Sequence, residues 1–397
     1  MDSFLFALLL ALNDLRDRSV MEEYPSFEMG PSRPPSEARS LLLRLTRSCP
    51  WNKCEFCTTN KGKKFSLRTV EEIKKDIETV KAIQEKILSQ GDGKEGNRRV
   101  AAHAHENPPN ESFWMVSLWL FYGGKTVFLQ DANGIVLRTP DMVEVLKFLK
   151  QTLPTVERIT SYGSSKVTAH KSLEELKEIH EAGLSRLHIG IESGYDEILK
   201  YVRKGVTAEE HIRAGQNVVA SGISLSDYVM PGLGGKKWSQ KHALETARVI
   251  NEINPDFIRL RSLVLREGLP LYEKYKSGEL ELLSDDEVAR EIAEFIRELK
   301  VESNLVSDHI ENLLPEVEGK LPEDQENILN VINRYLSLPS EERLIYRLGR
   351  RSGHYNGLDD LSHPGKRASM ERLLQQIQRS GKDVEDVIFN LKQGYLV

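Results

Sequence analysis

The stretch that decides the fold of this chain is CPWNKCEFC, at residues 49–57. It contains all three cysteines of the 397-residue protein. Three thiols at this spacing cannot form a framework of disulfide bridges. They suit a single site for a soft metal, because thiolates are the usual ligands of iron–sulfur clusters and also bind zinc.

Zinc is the rival metal at this site. A structural zinc ion needs four protein ligands, and the nearest histidines, His103 and His105, are far away in the sequence. Three thiolates instead match a [4Fe–4S] cluster that leaves one iron without a protein ligand. We therefore favour a cluster over zinc.

The surroundings of these cysteines resemble the radical S-adenosylmethionine (radical SAM) superfamily. An apolar run at residues 41–46 precedes them, a helix is predicted after them, and Phe56 stands directly before the last cysteine. The superfamily usually has the spacing C-x3-C-x2-C, whereas this chain has C-x4-C-x2-C. The resemblance implies that Cys49, Cys54 and Cys57 bind the cluster and that SAM fills the open iron. Phe56 would shield the cluster and the adenine, or serve in ordinary core packing.

Bulk composition is that of a globular protein. The length suggests about two to three domains, and 39% hydrophobic with 29% charged residues provides for a sizeable core. The net charge of −5 argues against a nucleic-acid partner held mainly by electrostatics. A reducing cytoplasm is the expected compartment, because the resemblance implies an oxygen-sensitive cluster.

Residues 4–12 form the one apolar run that could suggest a targeting or membrane segment, and this run is too short to cross a bilayer. Asp2 rather than a basic region precedes them, so we expect neither a signal peptide nor a transmembrane segment. The run could be an amphipathic docking helix, or upstream sequence from an early start codon, since Met21 offers a second start.

From residue 41 onward, predicted strands alternate with amphipathic helices. The strands are expected at 41–46, 125–129, 158–161, 186–191, 225–230 and 257–265. Thr69 with Glu72 and Ser172 with Glu175 form capping boxes that start helices, and Gly183 ends one. Such alternation means parallel strands with crossover helices. The fold class is therefore α/β, and six units match the partial (β/α)6 TIM-like barrel that the resemblance implies.

We expect three regions: an N-terminal extension at 1–38, a barrel at 39–282 and a helical C-terminal region at 283–397. An insertion at about 91–124 interrupts the first unit, and its apolar second half is predicted to be a helix packing on the barrel or lining a substrate cavity. In barrels of this kind the chemistry lies at the carboxyl ends of the strands, where residues 49–57 fall.

Polar residues end the second and third predicted strands. Asp131 and Asn133 could accept hydrogen bonds from the methionine ammonium of SAM, although Asp-Ala-Asn-Gly is also a good turn. This version, without a Gly-Gly-Glu-Pro motif, resembles the superfamily branch of anaerobic magnesium-protoporphyrin ester cyclases and uncharacterised relatives. Ser161, at the end of the third predicted strand, is a weaker candidate for a contact with SAM.

Further candidate SAM contacts end the fourth and fifth strands. Glu192 and Ser193 resemble a superfamily motif that contacts the ribose or methionine part, and Gly190 permits close approach of a ligand. After the fourth strand, Arg203 or Lys204 are weaker candidates. Gly232 lies in a glycine-rich loop that could admit adenosine, or could be only a turn.

Two arginines share one face of the sixth predicted strand. If helices cover the other face, Arg259 and Arg261 point into the barrel, where they should meet carboxylates of the protein, the cofactor or an acidic substrate. In the tail, His309 and residues 349–355 are expected on solvated faces, with substrate contact as the alternative.

The sequence thus predicts a radical SAM enzyme with one cluster, which cleaves SAM reductively and abstracts hydrogen from a small molecule. An electron donor such as flavodoxin or ferredoxin is the expected partner, and nucleic acid is disfavoured. The competing hypothesis is a non-catalytic heme chaperone or iron–sulfur carrier. No motif identifies the substrate, the catalytic residues, the reaction outcome or the oligomeric state.

Overall fold

The structure, a computed structural model, describes residues 24–91 and 96–394. The hypotheses on residues 4–12 and on Met21 lie outside the described residues. Ten strands are found in the described ranges, and they run in chain order as follows: β1 (Leu41–Arg44), β2 (Thr46–Arg47), β3 (Ser66–Leu67), β4 (Thr126–Gln130), β5 (Arg158–Gly163), β6 (Leu184–Glu192), β7 (Ser224–Val229), β8 (Phe257–Leu260), β9 (Asn304–Val306) and β10 (Gly319–Lys320).

Eight strands form one sheet in the order β1-β4-β5-β6-β7-β8-β9-β10. All neighbours from β1 to β9 are parallel, and only β10 is antiparallel. The α/β fold with a partial (β/α)6 barrel is therefore confirmed. The sixth barrel strand ends at Leu260, five residues earlier than predicted.

The C-terminal region was expected to contain helices alone, and this was wrong. Strands β9 and β10 extend the barrel sheet beyond β8. They escaped prediction because three-residue and two-residue strands are too short to show an alternating pattern. The sheet thus continues past the predicted domain boundary at residue 282.

Helices follow most strands and form the outer layer. Those of the described ranges are α1 (Val70–Leu88), α2 (Asn97–Glu106), α3 (Glu111–Phe121), α4 (Thr139–Thr152), α5 (Ser165–Thr168), α6 (Leu173–Ala182), α7 (Asp196–Tyr201), α8 (Ala208–Ala220), α9 (Gly235–Ile253), α10 (Pro270–Lys276), α11 (Asp285–Arg297), α12 (Gln325–Leu336), α13 (Ser340–Arg351), α14 (Pro364–Arg379) and α15 (Val384–Gln393). Short 3₁₀ turns lie at Pro35–Glu37, Gly134–Val136 and Leu358–Ser362.

The predicted helix boundaries are confirmed. Thr69 caps α1 and Ser172 caps α6, each in a complete capping box, and Gly183 follows α6 with φ +126°. The apolar half of the insertion is the predicted helix α3, which packs against α1, α2 and β1. Its buried Phe113 and Trp119 belong to the main core, so α3 is in the outer layer rather than inside the barrel.

The two faces of the sheet differ in chemistry. On one face, Tyr162 of β5, His188 of β6 and Ser226 of β7 lie side by side on neighbouring strands. Tyr228 of β7 and Arg259 of β8 lie side by side on the same face. This polar and aromatic face lines the barrel interior. The opposite face carries mainly Leu, Ile and Val and packs under the helices.

Asp227 is an exception on that apolar outer face. It lies in register between Ile189 and Ile258, is buried, and has no hydrogen-bond partner on either carboxylate oxygen among the described residues. Burial raises its pKa well above the ordinary value. The side chain is therefore protonated in the folded protein at pH values where the unfolded chain has already released the proton.

We predict that this residue makes the protein less stable as pH rises. Because the folded-state pKa is raised, the folded state binds more protons above the unfolded pKa, and stability falls by up to about 1.4 kcal/mol per pH unit until the folded pKa is reached. Asp227→Asn should remove that slope as the pH rises above the ordinary aspartate pKa of 3.8, measured by urea unfolding. Equal slopes for both proteins would contradict the prediction.

Candidate active site at the carboxyl ends of the strands

The cysteine loop leaves the carboxyl end of β1, as expected. It begins at Ser48, with φ +68°, and turns again at Asn52, with φ +46°. The Asn52 side chain donates to the carbonyl oxygens of Asn60 at 2.6 Å and Lys63 at 3.2 Å. These bonds fold residues 60–63 back onto the start of the loop, so that a single compact turn carries the thiols.

The loop is docked onto distant parts of the barrel. The Glu55 backbone N–H donates to the carbonyl of Val202 at 2.9 Å, and its carboxylate lies 2.7 Å from Lys274. The Trp51 indole N–H donates to the carbonyl of Arg203 at 2.7 Å. Sequence reasoning gave neither Trp51 nor Glu55 a role, because their partners are more than 140 positions away.

All three cysteines are free thiols of intermediate burial. Burial raises the pKa of Cys54 to about 11, while Lys204 opposes the rise. In the described part of the chain, no three His, Cys, Asp or Glu side chains are grouped so as to hold one metal ion. The donor set of the loop is three thiolates without a histidine, which is the kind of soft ligand set that an iron–sulfur cluster uses.

Asp131 follows β4 and is fully buried. One carboxylate oxygen accepts from Arg44 at 2.8 Å and from the Ser48 backbone N–H at 3.1 Å, which ties the cysteine loop to the second barrel strand. The other oxygen has no partner among the described residues. Asn133 is also buried; its amide nitrogen donates to Ser164, and its carbonyl oxygen is likewise without a partner there.

Glu192 ends β6 with φ +66° and forms an ion pair with Lys204 at 3.0 Å. A Cβ at Gly190 would lie 2.2 Å from the Glu192 carboxylate. The space beside this glycine is thus filled by protein, not left open for a ligand as predicted. Burial opposes the charge of Lys204, but Glu192, Cys54 and Cys57 together raise its pKa.

Two other predicted contacts have partners within the protein. The Ser193 hydroxyl is 2.9 Å from the His242 ring, and the Gly232 N–H donates to buried Glu291 at 2.6 Å. Ser161 lies two residues before the end of β5, on the outer face, with its hydroxyl donating to the Leu129 carbonyl at 3.1 Å. Because side chains alternate along a strand, Ser161 points away from the barrel interior, where the SAM contact was predicted.

Phe56 packs against an apolar cluster that includes Ile198, Met230 and Leu271. Its ring centroid is 5.8 Å from the ammonium of Lys204. This confirms the core-packing interpretation of Phe56 and leaves its shielding role a prediction.

The two predicted barrel arginines, Arg259 in β8 and Arg261 just after its end, have carboxylate partners from the tail. Buried Arg259 pairs with Asp308 at 2.5 Å, and Arg261 lies 3.6 Å from Glu311. Asp308 and Glu311 were missed because nothing in the local sequence marks them. His309, expected on a solvated face, is mostly enclosed; burial and the nearby Arg261 and Arg266 lower its pKa to about 3.

Three residues of the stretch 349–355 also contradict that expectation, because they are buried: Gly349, Arg351 and Tyr355. Arg351 is buried and pairs with Asp285 at 2.8 Å, and Tyr355 is completely buried. These side chains belong to the packing of the C-terminal region on the barrel.

Gly205, with φ +75°, supports the cysteine loop from the far side. A Cβ there would lie 2.2 Å from the Trp51 ring. We predict that Gly205→Ala destabilises the protein by about 1–3 kcal/mol and displaces Trp51, so that the metal-free thiols react faster with Ellman's reagent. Gly222→Ala, at φ +87° but beside His180, is the matched control and should cost stability without changing thiol reactivity. Equal thiol rates in the two variants would show that Trp51 does not support the loop.

Comparison with known proteins places this chain in a family. Residues 43–247, just over half of the chain, match the profile of the radical SAM superfamily. A tRNA uridine(34) acetyltransferase of Methanocaldococcus infernus is 29% identical over 123 residues, which cover 31% of this chain and 23% of that protein. The 4'-phospho-dehydrooxetanocin synthase of Priestia megaterium is 24% identical over 254 residues, which cover 60% of this chain and 30% of that protein.

Among solved structures, the cobalamin-dependent S-adenosylmethionine radical enzyme OxsB aligns with a TM-score of 0.43 at 13% identity, covering 88% of this chain and 52% of that one. The chain spans less than half the length of each of the curated relatives it matches, from 21% to 40%. These relatives do not support the resemblance to the ester cyclase branch. The family match and the cysteine loop together show that this chain belongs to the radical SAM superfamily.

Proposed function

We propose that the chain binds one [4Fe–4S] cluster through Cys49, Cys54 and Cys57 and uses it to cleave SAM and activate a small-molecule substrate. The observation that carries this proposal is the compact cysteine loop, held at the carboxyl ends of β1 and β4. With SAM bound, such a cluster supplies one-electron cleavage of a carbon–sulfur bond and a hydrogen-abstracting radical. The whole sequence has no fourth cysteine for an auxiliary cluster with thiolate ligands.

The end of β4 fits the ammonium group of SAM. Asp131 and Asn133 each keep one buried acceptor oxygen without a partner among the described residues. A buried acceptor without a partner is costly, and an ammonium group would supply donors to both. Asp131 has a second task, because its other oxygen orients the cysteine loop through Ser48.

The other candidate residues divide into two roles. Glu192, with Lys204 beside Cys54, and Arg261, whose side chain is about one-third exposed, remain available to SAM or substrate. Ser193, Gly232 and Arg259 have protein partners, so we propose that they position the strand ends around the ligand.

A low-potential electron donor such as flavodoxin or ferredoxin would reduce the cluster, and we propose the cytoplasm as the compartment. No helix of the described ranges is long and apolar enough to cross a membrane.

The proposed reaction is tested by anaerobic reconstitution and reduction with dithionite. The wild-type protein should release methionine and 5′-deoxyadenosine from SAM. Cys49→Ala, Cys54→Ala and Cys57→Ala should each abolish both the cluster absorbance and this release. A heme chaperone or iron–sulfur carrier would bind heme or transfer its cluster without releasing these products, and that result would overturn the proposal.

Asp131→Asn should weaken SAM binding, because it removes the negative charge facing the ammonium. We expect the Kd, measured by equilibrium dialysis with the reconstituted protein, to rise by about tenfold or more, the usual loss for a hydrogen bond to a charged group. Asp141→Asn is the control: Asp141 is a partly exposed acidic residue in the first turn of α4 that pairs with Arg138, and this variant should bind SAM like the wild type. If Asp131→Asn keeps its cluster and binds SAM normally, another residue holds the ammonium.

A further inference from the structure

Six cationic side chains surround the cysteine loop. Lys53, Lys63, Lys64, Lys166 and Arg203 are exposed, and Lys61 is partly exposed. Four of them belong to the loop itself, while Lys166 lies in α5 and Arg203 follows α7. We refer to these six residues as the basic rim.

The basic rim has no acidic counterpart. None of its six side chains forms a salt bridge within the described parts of the chain. Lys61 and Lys63 donate only to backbone carbonyls, those of Asn52 and Thr59. The nearby carboxylates are already paired with other cations: Glu55 with Lys274 and Glu192 with Lys204. This concentration of unpaired positive charge occurs in a protein whose net charge is −5.

The rim is built close to the thiols. Lys53 immediately precedes Cys54, and the Asn52 side chain holds the turn that carries Lys61 and Lys63 against the start of the loop. Across the loop, Lys166 and Lys53 stand 4.3 and 4.9 Å from the centroid of the Trp51 ring.

We propose that the basic rim is the docking surface for an acidic, protein-borne one-electron donor. This inference rests on the proposed function, which requires a reduced cluster in this loop. Clustered charge of one sign steers an oppositely charged partner and raises the association rate. It also directs the donor to the part of the surface where its redox group comes closest to the cluster. One electron leaves the donor and enters the cluster, and no bond forms or breaks.

The side chains of the rim favour a protein over RNA. Single-stranded RNA is usually held by cations together with aromatic faces on which bases stack. The Trp51 ring lies against Gly205 and beneath Lys53 and Lys166, so it is not open to a base. Exposed positive charge without an open aromatic face suits an acidic protein surface.

The test measures cluster reduction by two donors in the reconstituted full-length protein. Flavodoxin hydroquinone is the acidic protein donor, which passes to the neutral semiquinone with no change in its protons, and dithionite is the small-molecule donor. The variant is Lys63→Glu with Lys64→Glu. The control is Lys177→Glu with Lys382→Glu, which reverses two exposed lysines that form no salt bridge in the described chain.

We expect the rim variant to slow reduction by flavodoxin by about tenfold or more at low salt, while leaving iron content and reduction by dithionite unchanged. Added salt should slow the wild type and bring it towards the variant. The control should behave as the wild type. Equal flavodoxin rates for the rim variant and the control would overturn the inference.

Two further outcomes are distinguishable. If the rim variant loses affinity for a transfer RNA mixture while its flavodoxin rate is unchanged, the rim is a nucleic-acid surface and the inference is wrong. If dithionite-reduced wild type fails to cleave SAM, the proposed function fails, whereas the docking of the donor is still decided by the flavodoxin rates.

Discussion

The buried ion pair between Arg44 and Asp131 is the interaction on which the site depends. Arg44 ends the first barrel strand, and Asp131 follows the second. The same carboxylate oxygen receives the Ser48 N–H, so one group joins two strand ends to the start of the cysteine loop. A buried charge of this kind is stable only while its partner is in place, because an unpaired charge in the interior is costly. The loop is therefore anchored to the ends of two neighbouring barrel strands.

Charges inside the barrel are also paired with carboxylates or cations from other parts of the chain. The barrel lining includes Arg259, whose charge is balanced by Asp308 from the C-terminal region. At the other end of the chain, Glu37 is buried between Arg158, at 3.0 Å, and His188. Segments on both sides of the six βα units thus supply the carboxylates that the barrel needs. The predicted extensions are parts of the same folded body as the strands they neutralise.

Charge pairing also fastens the C-terminal helices. Asp285, at the start of α11, accepts from Arg351 and Lys392 and lies 3.2 Å from Arg347. Although burial works against its charge, these three cations hold the pKa of Asp285 well below its ordinary value. One carboxylate thereby connects α11 with α13 and α15.

The sequence by itself determined the family resemblance, the six parallel strands, the helix caps and the cysteine loop. Each of these depends on a few neighbouring residues, through hydrophobic periodicity, a capping box or the spacing of the cysteines. Only the tertiary structure decided that Gly190 makes room for Glu192, that Ser161 faces outward, and that Asp308 and Glu311 lie near the barrel arginines. Those relationships join residues from different elements or depend on the register of a strand. A local sequence pattern does not indicate which distant groups will be in contact.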